Sequence, residues 1–232
     1  MLFQTILAFL FPPVCAGCRR IGEAICTTCI SCLQPTVSDI CPYCYKPSEW
    51  GRTHDHCKER GGLDGAISCV RYNQTARSVV KSIKYSFVTE VFASLEKKIP
   101  PHWWRIEAFT SVIGTECILQ PVPLHSRRKN KRGFNQAELI AQSLAKRFNL
   151  RVIDSLERIK NTEAQARQES REARRINIQN AFNVTKPDLI TQRTIILVDD
   201  IFTSGSTAKE AARVLKSAGA HEVYLYSFAH GT

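Results

Sequence analysis

The sequence predicts an α/β protein with an open, mostly parallel sheet, preceded by a small N-terminal module rich in cysteine. Short apolar runs without polar alternation recur in the second part of the chain, and helical patterns follow them, which is typical of parallel strands covered on both faces. The cysteines lie elsewhere, since nine of the ten fall within residues 15–69. A glycine-rich segment at residues 61–65 separates the two regions, so we expect the module over residues 1–62 and the sheet domain over residues 63–232.

Composition narrows the class of protein. A hydrophobic content of 44% in 232 residues supports a real core and argues against extended disorder. The 32 basic residues outnumber the 21 acidic ones, and the net charge of +11 favours polyanionic partners such as nucleic acid or phosphorylated small molecules. Residues 1–14 are apolar but too short to span a bilayer, and they lack the basic start of a secretory signal. We therefore expect a docked N-terminal helix in a cytoplasmic protein without an integral membrane segment, with membrane attachment as a minor alternative.

The module contains four ligand pairs, each separated by two residues, a gap that lets both side chains of a tight turn reach one tetrahedral metal ion. The pairs are Cys15 and Cys18, Cys26 and Cys29, Cys41 and Cys44, and His54 and Cys57. They predict two structural zinc ions, one held by four Cys and one by three Cys and a His. Spacing leaves open which pairs share an ion, and Cys32 and His56 compete for places. A disulfide framework and an iron–sulfur cluster are the alternatives.

In the sheet domain, short β-branched runs predict strands, and apolar residues three and four positions apart predict helices. We expect strands at residues 66–72, 117–122, 195–198 and 222–229, and another near residue 152. We expect helices over residues 75–93, bending near Ser86, from residue 133 to about Phe148, and over residues 207–218. Residues 157–182 carry alternating charges without a steady apolar stripe, which indicates a long surface excursion of the kind that often forms a lid.

A dense basic run follows the strand at residues 117–122. It contains Arg127, Arg128, Lys129, Lys131 and Arg132. We expect a basic loop between the carboxyl end of that strand and the next helix, a position suited to pyrophosphate or to nucleic-acid phosphates. The alternative is a solvated charged face.

Two carboxylates and a loop of small residues follow the strand at residues 195–198. Asp199 and Asp200 are suited to accept hydrogen bonds from vicinal ribose hydroxyls and to help orient a magnesium ion. Backbone N–H groups, hydroxyls and the positive end of the next helix favour a phosphate in the loop. The candidate binding residues are Asp199, Asp200, Thr203, Ser204, Gly205, Ser206 and Thr207.

Residues 195–207 resemble, at every position, the phosphoribosyl pyrophosphate (PRPP) signature of type I phosphoribosyltransferases. Together with the cysteine pairs and the blocks at residues 121–124, 132–136, 162–165, 174–177 and 181–182, this motif makes the chain similar to the ComF family of competence proteins. That family joins a double zinc ribbon to a type I phosphoribosyltransferase domain. His54 is a departure, because the family usually has Cys there.

The resemblance implies that the acidic pair holds the ribose 2′- and 3′-hydroxyls and that the Thr203–Thr207 loop holds the 5′-phosphate. Residues 121–128 would form the pyrophosphate loop, and residues 160–175 a mobile loop that closes over PRPP or ribose 5-phosphate. The implied function is handling of incoming single-stranded DNA (ssDNA) in natural transformation, alongside a helicase and a recombination mediator. The alternatives are a catalytic phosphoribosyltransferase acting on a base or amine, and a PRPP-sensing regulator. For ssDNA, Tyr43, Tyr45 and Trp50 are expected to stack on unpaired bases.

Overall fold

The computed structural model describes residues 12–59, 61–85, 88–114, 116–162 and 171–231. Its strands are β1 (Gly65–Arg71), β2 (Ile118–Pro121), β3 (Arg151–Val152), β4 (Leu156–Arg158), β5 (Phe182–Val184), β6 (Thr194–Phe202) and β7 (Glu222–His230). Its helices are α1 (Thr27–Ser31), α2 (Gln74–Tyr85), α3 (Val88–Lys98), α4 (Ile106–Ile113), α5 (Ser126–Arg132), α6 (Gln136–Phe148), α7 (Arg171–Ile178) and α8 (Ser206–Ser217). The expected N-terminal helix lies outside the described residues.

Five strands form one sheet in the order β1-β7-β6-β2-β3, and every neighbouring pair among them is parallel. The prediction of an open, mostly parallel α/β sheet is confirmed. The short strands β4 and β5 form a separate antiparallel pair, which the sequence reading did not anticipate. These two strands flank residues 159–181, so strand pairing joins the two ends of the segment that was expected to be a surface excursion.

The central strand β6 explains why the sheet is covered on both faces. Ile196 and Val198 pack into one hydrophobic core with α2, α3 and α6, whereas Ile195 and Leu197 pack into a second core with α8. All four side chains are buried because consecutive strand residues point to opposite faces and each face carries helices. Parallel strands end at the same edge, so the acidic residues after Val198 lie beside the segment that follows β2.

The cysteine-rich module packs closely on the sheet domain. Its Ile25 and Leu33 lie in the same core as Val70 of β1. A buried ion pair joins the module's Asp39 to Arg105, with both oxygen–nitrogen distances at 2.7 Å. Burial raises the pKa of Asp39 and the Arg105 guanidinium opposes that rise. The division at residues 62 and 63 remains a prediction, because apolar contacts cross it.

The basic run takes a different form from the expected loop. Residues 126–132 form the helix α5, whose first turn is capped by His125, with Nδ1 accepting a hydrogen bond from the Arg127 N–H at 3.3 Å. Gly133 ends the helix at a φ of 80°, in the left-handed region that glycine adopts readily. Arginine and lysine are good helix formers, so a cap at each end favours a helix over a loop at these residues. Among the described residues, no helix is both long enough and apolar enough to cross a membrane.

Candidate ligand cleft and metal clusters

A cleft of about 600 Å³ opens at the carboxyl edge of the sheet, between the segments that follow β2 and β6. Its floor is the phosphate loop, defined as residues 203–206, which leads into α8. Gly205 has a φ of 68°, and a Cβ there would meet Cε2 of Phe202 at 2.6 Å. Only glycine fits this position without displacing the aromatic ring. The structure therefore brings all seven candidate PRPP residues, Asp199, Asp200 and Thr203 to Thr207, to the lining of one cleft.

The backbone of the acidic pair holds one of its own carboxylates. Oδ1 of Asp199 accepts a hydrogen bond from the backbone N–H of Asp200 at 2.8 Å. In the part of the chain that the structure describes, these two side chains are the only carboxylates in the cleft lining.

Six basic side chains also line this cleft. They are Arg77, Lys81, Arg128, Arg132, Arg158 and Arg174. Of the five cations expected from the basic run, only Arg128 and Arg132 line the cleft, because they lie four residues apart on one face of α5. Arg127, Lys129 and Lys131 are exposed to solvent and lie outside the lining. The helix thus divides the basic run between the cleft and the surface.

Arg158 is a cleft residue that the sequence analysis missed. Only 7% of it is exposed, and its Nε has no hydrogen-bond partner among the described residues. Burial and the neighbouring Arg128 lower its pKa to about 10, although Asp199 opposes the shift. The available signal was strand alternation: Leu156 and Arg158 are two residues apart, so a buried Leu156 puts Arg158 on the inner face of β4.

The Asn135–Gln136 block fastens the segment after β2 to α6. Oδ1 of Asn135 accepts from the Ala137 N–H at 3.2 Å, and its Nδ2 donates to the Val122 carbonyl at 3.0 Å. Nη1 of Arg132 donates to Oε1 of Gln136 at 3.1 Å. Nε2 of Gln136 is buried without a partner among the described residues, so this cleft residue retains a donor for a ligand.

The first cluster comprises Cys15, Cys18, Cys26 and Cys29, whose sulfur atoms all lie within 4.8 Å of one another. Sulfur–sulfur distances of 3.7 Å and 3.8 Å join Cys26 to Cys15 and to Cys18. A tetrahedron with metal–sulfur bonds of about 2.3 Å has edges of about 3.8 Å, so the group fits zinc. Burial raises the pKa of Cys15, but N–H groups of Cys18, Cys26 and Gly17 outweigh it and lower the pKa to about 6, which favours a thiolate at Cys15. Burial and the neighbouring thiols raise the pKa of Cys29, so a metal ion must displace the proton of that thiol.

The second cluster comprises Cys41, Cys44, His54 and Cys57, again within 4.8 Å. Nδ1 of His54 lies 3.3 Å from Sγ of Cys44, and its Nε2 lies 3.1 Å from the Pro47 carbonyl. This carbonyl orients the ring and leaves Nδ1 to face the sulfur atoms, the usual support for a metal-binding histidine. His56 stacks on His54 but lies outside the cluster, and Cys32 is exposed and belongs to neither group.

Two of the three aromatic residues expected to stack on unpaired bases make contacts within the protein. Tyr43, Tyr45 and Trp50 are all half-buried. The Tyr43 hydroxyl accepts a hydrogen bond from the Leu63 N–H at 2.9 Å, and the Tyr45 hydroxyl donates to the Ser204 carbonyl at 3.1 Å. Both tyrosines make these contacts because the turn at residues 41–45, which we call the knuckle of the second cluster, packs against the sheet domain.

Known proteins share both halves of this architecture. The family model of the phosphoribosyl transferase domain matches residues 131–231, and that of the double zinc ribbon domain matches residues 6–58. The DNA utilization protein YhgH of Escherichia coli O157:H7 is 30% identical over 227 residues, which cover 93% of this chain and 96% of that protein. The chain belongs to the ComF family. The chain is also similar to Competence protein F of Haemophilus influenzae, with 35% identity over 49% of this chain and 50% of that protein. Competence protein ComFC of Bacillus subtilis is 27% identical over 85% of this chain and 80% of that protein.

The two matched domains correspond to the two sites that the structure shows, the cleft and the metal clusters. The phosphoribosyl transferase match includes α6, the acidic pair and the phosphate loop, and this type of domain implies binding of a phosphoribosyl substrate. The double zinc ribbon match includes all eight clustered ligands, which supports zinc as the metal of this ComF-family module.

Proposed function

We propose that the cleft binds PRPP together with magnesium, and that the protein handles ssDNA in the cytoplasm during natural transformation. The observation that carries the proposal is the composition of the cleft: an acidic pair, a glycine-containing phosphate loop and six cations converge on one cavity. PRPP combines a ribose with vicinal hydroxyls, a 5′-phosphate and a pyrophosphate, and each of these groups has a complementary part of the lining.

In the proposed complex, the phosphate loop and the amino end of α8 hold the 5′-phosphate, as helix N-termini do for anions. Asp200 accepts hydrogen bonds from the ribose hydroxyls. Arg128 and Arg158 hold the pyrophosphate, because guanidinium groups donate in pairs to phosphate oxygens. Carboxylate and pyrophosphate oxygens are also the ligands that magnesium takes in proteins, which is why we expect the ion to enter with PRPP.

The DNA part of the proposal rests on the relatives and on charge. Relatives are named for DNA utilization and for competence, and the chain carries a net charge of +11. Arg127 and Lys131 form an exposed basic face of α5 on the side away from the cleft lining. A flexible single strand can follow such a face through its phosphates without base-specific contacts. A competence helicase and a recombination mediator are the proposed protein partners.

A catalytic phosphoribosyltransferase is the second candidate. The observation in its favour is that the cleft lining extends to Tyr72, Arg77 and Lys81. These residues could contact an acceptor molecule bound beside the sugar phosphate. An assay that follows pyrophosphate release from PRPP with candidate bases and amines separates the two functions.

The test is a pair of titrations of the purified zinc-loaded protein, with PRPP and magnesium and with labelled ssDNA, each alone and in the presence of the other. Saturable PRPP binding and ssDNA binding tighter than that of an unrelated protein of equal net charge at the same salt concentration would support the proposal. PRPP binding without ssDNA binding would favour the catalytic alternative. Absence of PRPP binding would overturn the assignment of the cleft.

A further inference from the structure

The two clusters are built on the same turn. Cys15–Cys18 and Cys41–Cys44 each close with a hydrogen bond from the residue after the second cysteine to the carbonyl of the first: Arg19 N–H to Cys15 at 2.9 Å, and Tyr45 N–H to Cys41 at 3.0 Å. Arg19 and Tyr45 both adopt the left-handed region, at φ values of 67° and 60°. A non-glycine residue there is uncommon. The repeated geometry therefore belongs to the turn itself, the knuckle, which is formed by residues 15–19 in the first cluster and by residues 41–45 in the second. Each knuckle projects one side chain, Arg19 or Tyr45, from the same position.

The two projected side chains have different surroundings. Arg19 is exposed to solvent. Tyr45 instead reaches the phosphate loop, where its hydroxyl donates to the Ser204 carbonyl at 3.1 Å. Its ring also stacks on Phe202, the last residue of β6, at 6.3 Å between centroids and an interplanar angle of 21°. Tyr45 directly follows Cys44, a ligand of the second cluster, so the contact with the phosphate loop is made by the residue next to that ligand.

Further contacts tie the same knuckle to the start of α8. The Lys209 ammonium lies 4.4 Å from the Tyr43 ring centroid and 5.9 Å from that of Tyr45, within the range of cation–π attraction. The backbone N–H of Lys209 donates to the Gly205 carbonyl at 2.8 Å. Phe202 in turn stacks on His230 at the end of β7, at 5.5 Å. The loop is consequently held between the knuckle and the sheet edge.

We propose that Tyr45 is a positioning residue for the phosphate loop, and that the second cluster controls the loop's affinity for a sugar phosphate through it. Loop backbone N–H groups bind a phosphate well only if they are already oriented toward it. Tyr45 fixes the carbonyl side of the peptide between Ser204 and Gly205, and the N–H of that peptide belongs to Gly205, which lies within the phosphate loop. This inference rests on the proposed binding of PRPP or ribose 5-phosphate in the cleft. The inference goes beyond that proposal, because it makes the second metal cluster of the N-terminal module a determinant of phosphate binding in the cleft.

The test is calorimetric titration with ribose 5-phosphate, combined with elemental zinc analysis and thermal unfolding. Tyr45→Phe retains the ring but loses the hydrogen bond, and we expect binding to weaken about three- to tenfold. The matched control is Tyr43→Phe, which removes a hydroxyl bonded to Leu63 and leaves the Ser204 contact intact, so affinity should stay within about twofold of wild type. Both variants should keep the zinc content of the wild type.

A second pair of variants tests the role of the metal. Cys57→Ser removes a ligand of the second cluster that lies outside the Cys41–Cys44 turn in the sequence, and ribose 5-phosphate affinity should fall at least as far as in Tyr45→Phe. Cys18→Ser removes a ligand of the first cluster, whose turn carries the solvent-exposed Arg19 in place of Tyr45, and affinity should change much less. Wild-type binding that persists unchanged in both Tyr45→Phe and Cys57→Ser would overturn the inference while leaving the proposed function intact. Equal losses in Cys57→Ser and Cys18→Ser would also overturn it, since general destabilisation would then explain both. Absence of binding by the wild type would overturn the proposed function itself.

Discussion

Arg128 and Arg158 donate hydrogen bonds to the same residue, Thr162. Nη2 of Arg128 donates to the backbone carbonyl, and Nη2 of Arg158 donates to the hydroxyl. Two like charges are thereby fixed side by side in a partly buried wall of the cleft. Burial lowers the pKa of both groups, and each has an arginine neighbour that lowers it further, Arg132 for Arg128 and Arg128 for Arg158. The arrangement costs free energy in the ligand-free protein, which is expected of a site that is completed by an anion.

Arg158→Met should separate ligand affinity from stability. At neutral pH the guanidinium is charged in both the folded and the unfolded protein, because its folded pKa of about 10 lies above neutrality. Lowering the pKa of Arg158 from its usual value to about 10 corresponds to a cost on the order of 3 kcal/mol, which is present at all pH values below the folded pKa and is relieved as pH rises above it. Methionine removes that charge, so the free energy of unfolding should stay equal or rise, while PRPP affinity falls at least about tenfold.

Thermal unfolding and calorimetric titration measure the two effects of Arg158→Met. Arg158→Lys is the control that keeps a positive charge without the paired donors, and its PRPP affinity should lie between those of the wild type and Arg158→Met. A large loss of stability with unchanged affinity would instead assign Arg158 a structural role through Thr162 and the Phe182 ring, which it covers at 5.6 Å.

Asp200→Asn should weaken recognition of the ribose hydroxyls. Loss of charge-assisted hydrogen bonds is expected to cost about 1.5–3 kcal/mol in the binding of ribose 5-phosphate. Binding of inorganic phosphate to the loop should be unaffected or slightly stronger, because a nearby negative charge is removed. Asp188→Asn, which changes an exposed carboxylate outside the cleft lining, is the matched control. Parallel losses for phosphate and ribose 5-phosphate in Asp200→Asn would mean that Asp200 acts on the loop rather than on the sugar.

The purified protein should contain about two zinc ions per chain, one for each cluster of four ligands. Cys44→Ser should reduce the content to about one, whereas Cys32→Ser should retain both, because Cys32 lies outside either cluster. Elemental analysis after gel filtration measures the content. A zinc content near zero in protein purified without a chelator, or the loss of an ion in Cys32→Ser, would contradict the assignment.

The parts of the site that follow from local sequence were predictable, and the parts that depend on burial were not. The strand at residues 195–198, the acidic pair and the phosphate loop are contiguous, so periodicity and spacing were sufficient to place them together. The pairing of ligand pairs into clusters needed the fold, since all pairs have the same spacing. Arg158 was missed because alternation with Leu156 indicates burial only if a strand is expected there, and this charged segment was interpreted as a surface excursion. The division of the basic run was also hidden, because it depends on α5 being helical.

Charge reversal on the outer face of α5 should weaken ssDNA binding without affecting PRPP. Arg127 and Lys131 are four residues apart and exposed, so Arg127→Glu combined with Lys131→Glu removes two cations from one face. Lys129 is left unchanged because its ammonium lies 3.5 Å from Glu138. For single strands, the slope of log affinity against log salt is about −0.7 per phosphate contacted, so the double variant should flatten it by about 1.4 if both cations contact phosphates. Fluorescence anisotropy with labelled oligonucleotides over a range of salt concentrations measures the slope.

The control for this variant must change the net charge equally at a different place. Lys186→Glu combined with Arg193→Glu does so, because both residues are exposed and Arg193 directly precedes β6, at the edge of the sheet opposite the cleft. If ssDNA follows α5, the control should keep the wild-type salt slope and lose little affinity. Non-specific attraction to the whole basic protein would instead make the two double variants lose affinity equally. That result would contradict the assignment of the ssDNA interface to α5. If both double variants also retain PRPP affinity, the phosphoribosyltransferase-type cleft would be the functional site that the results support.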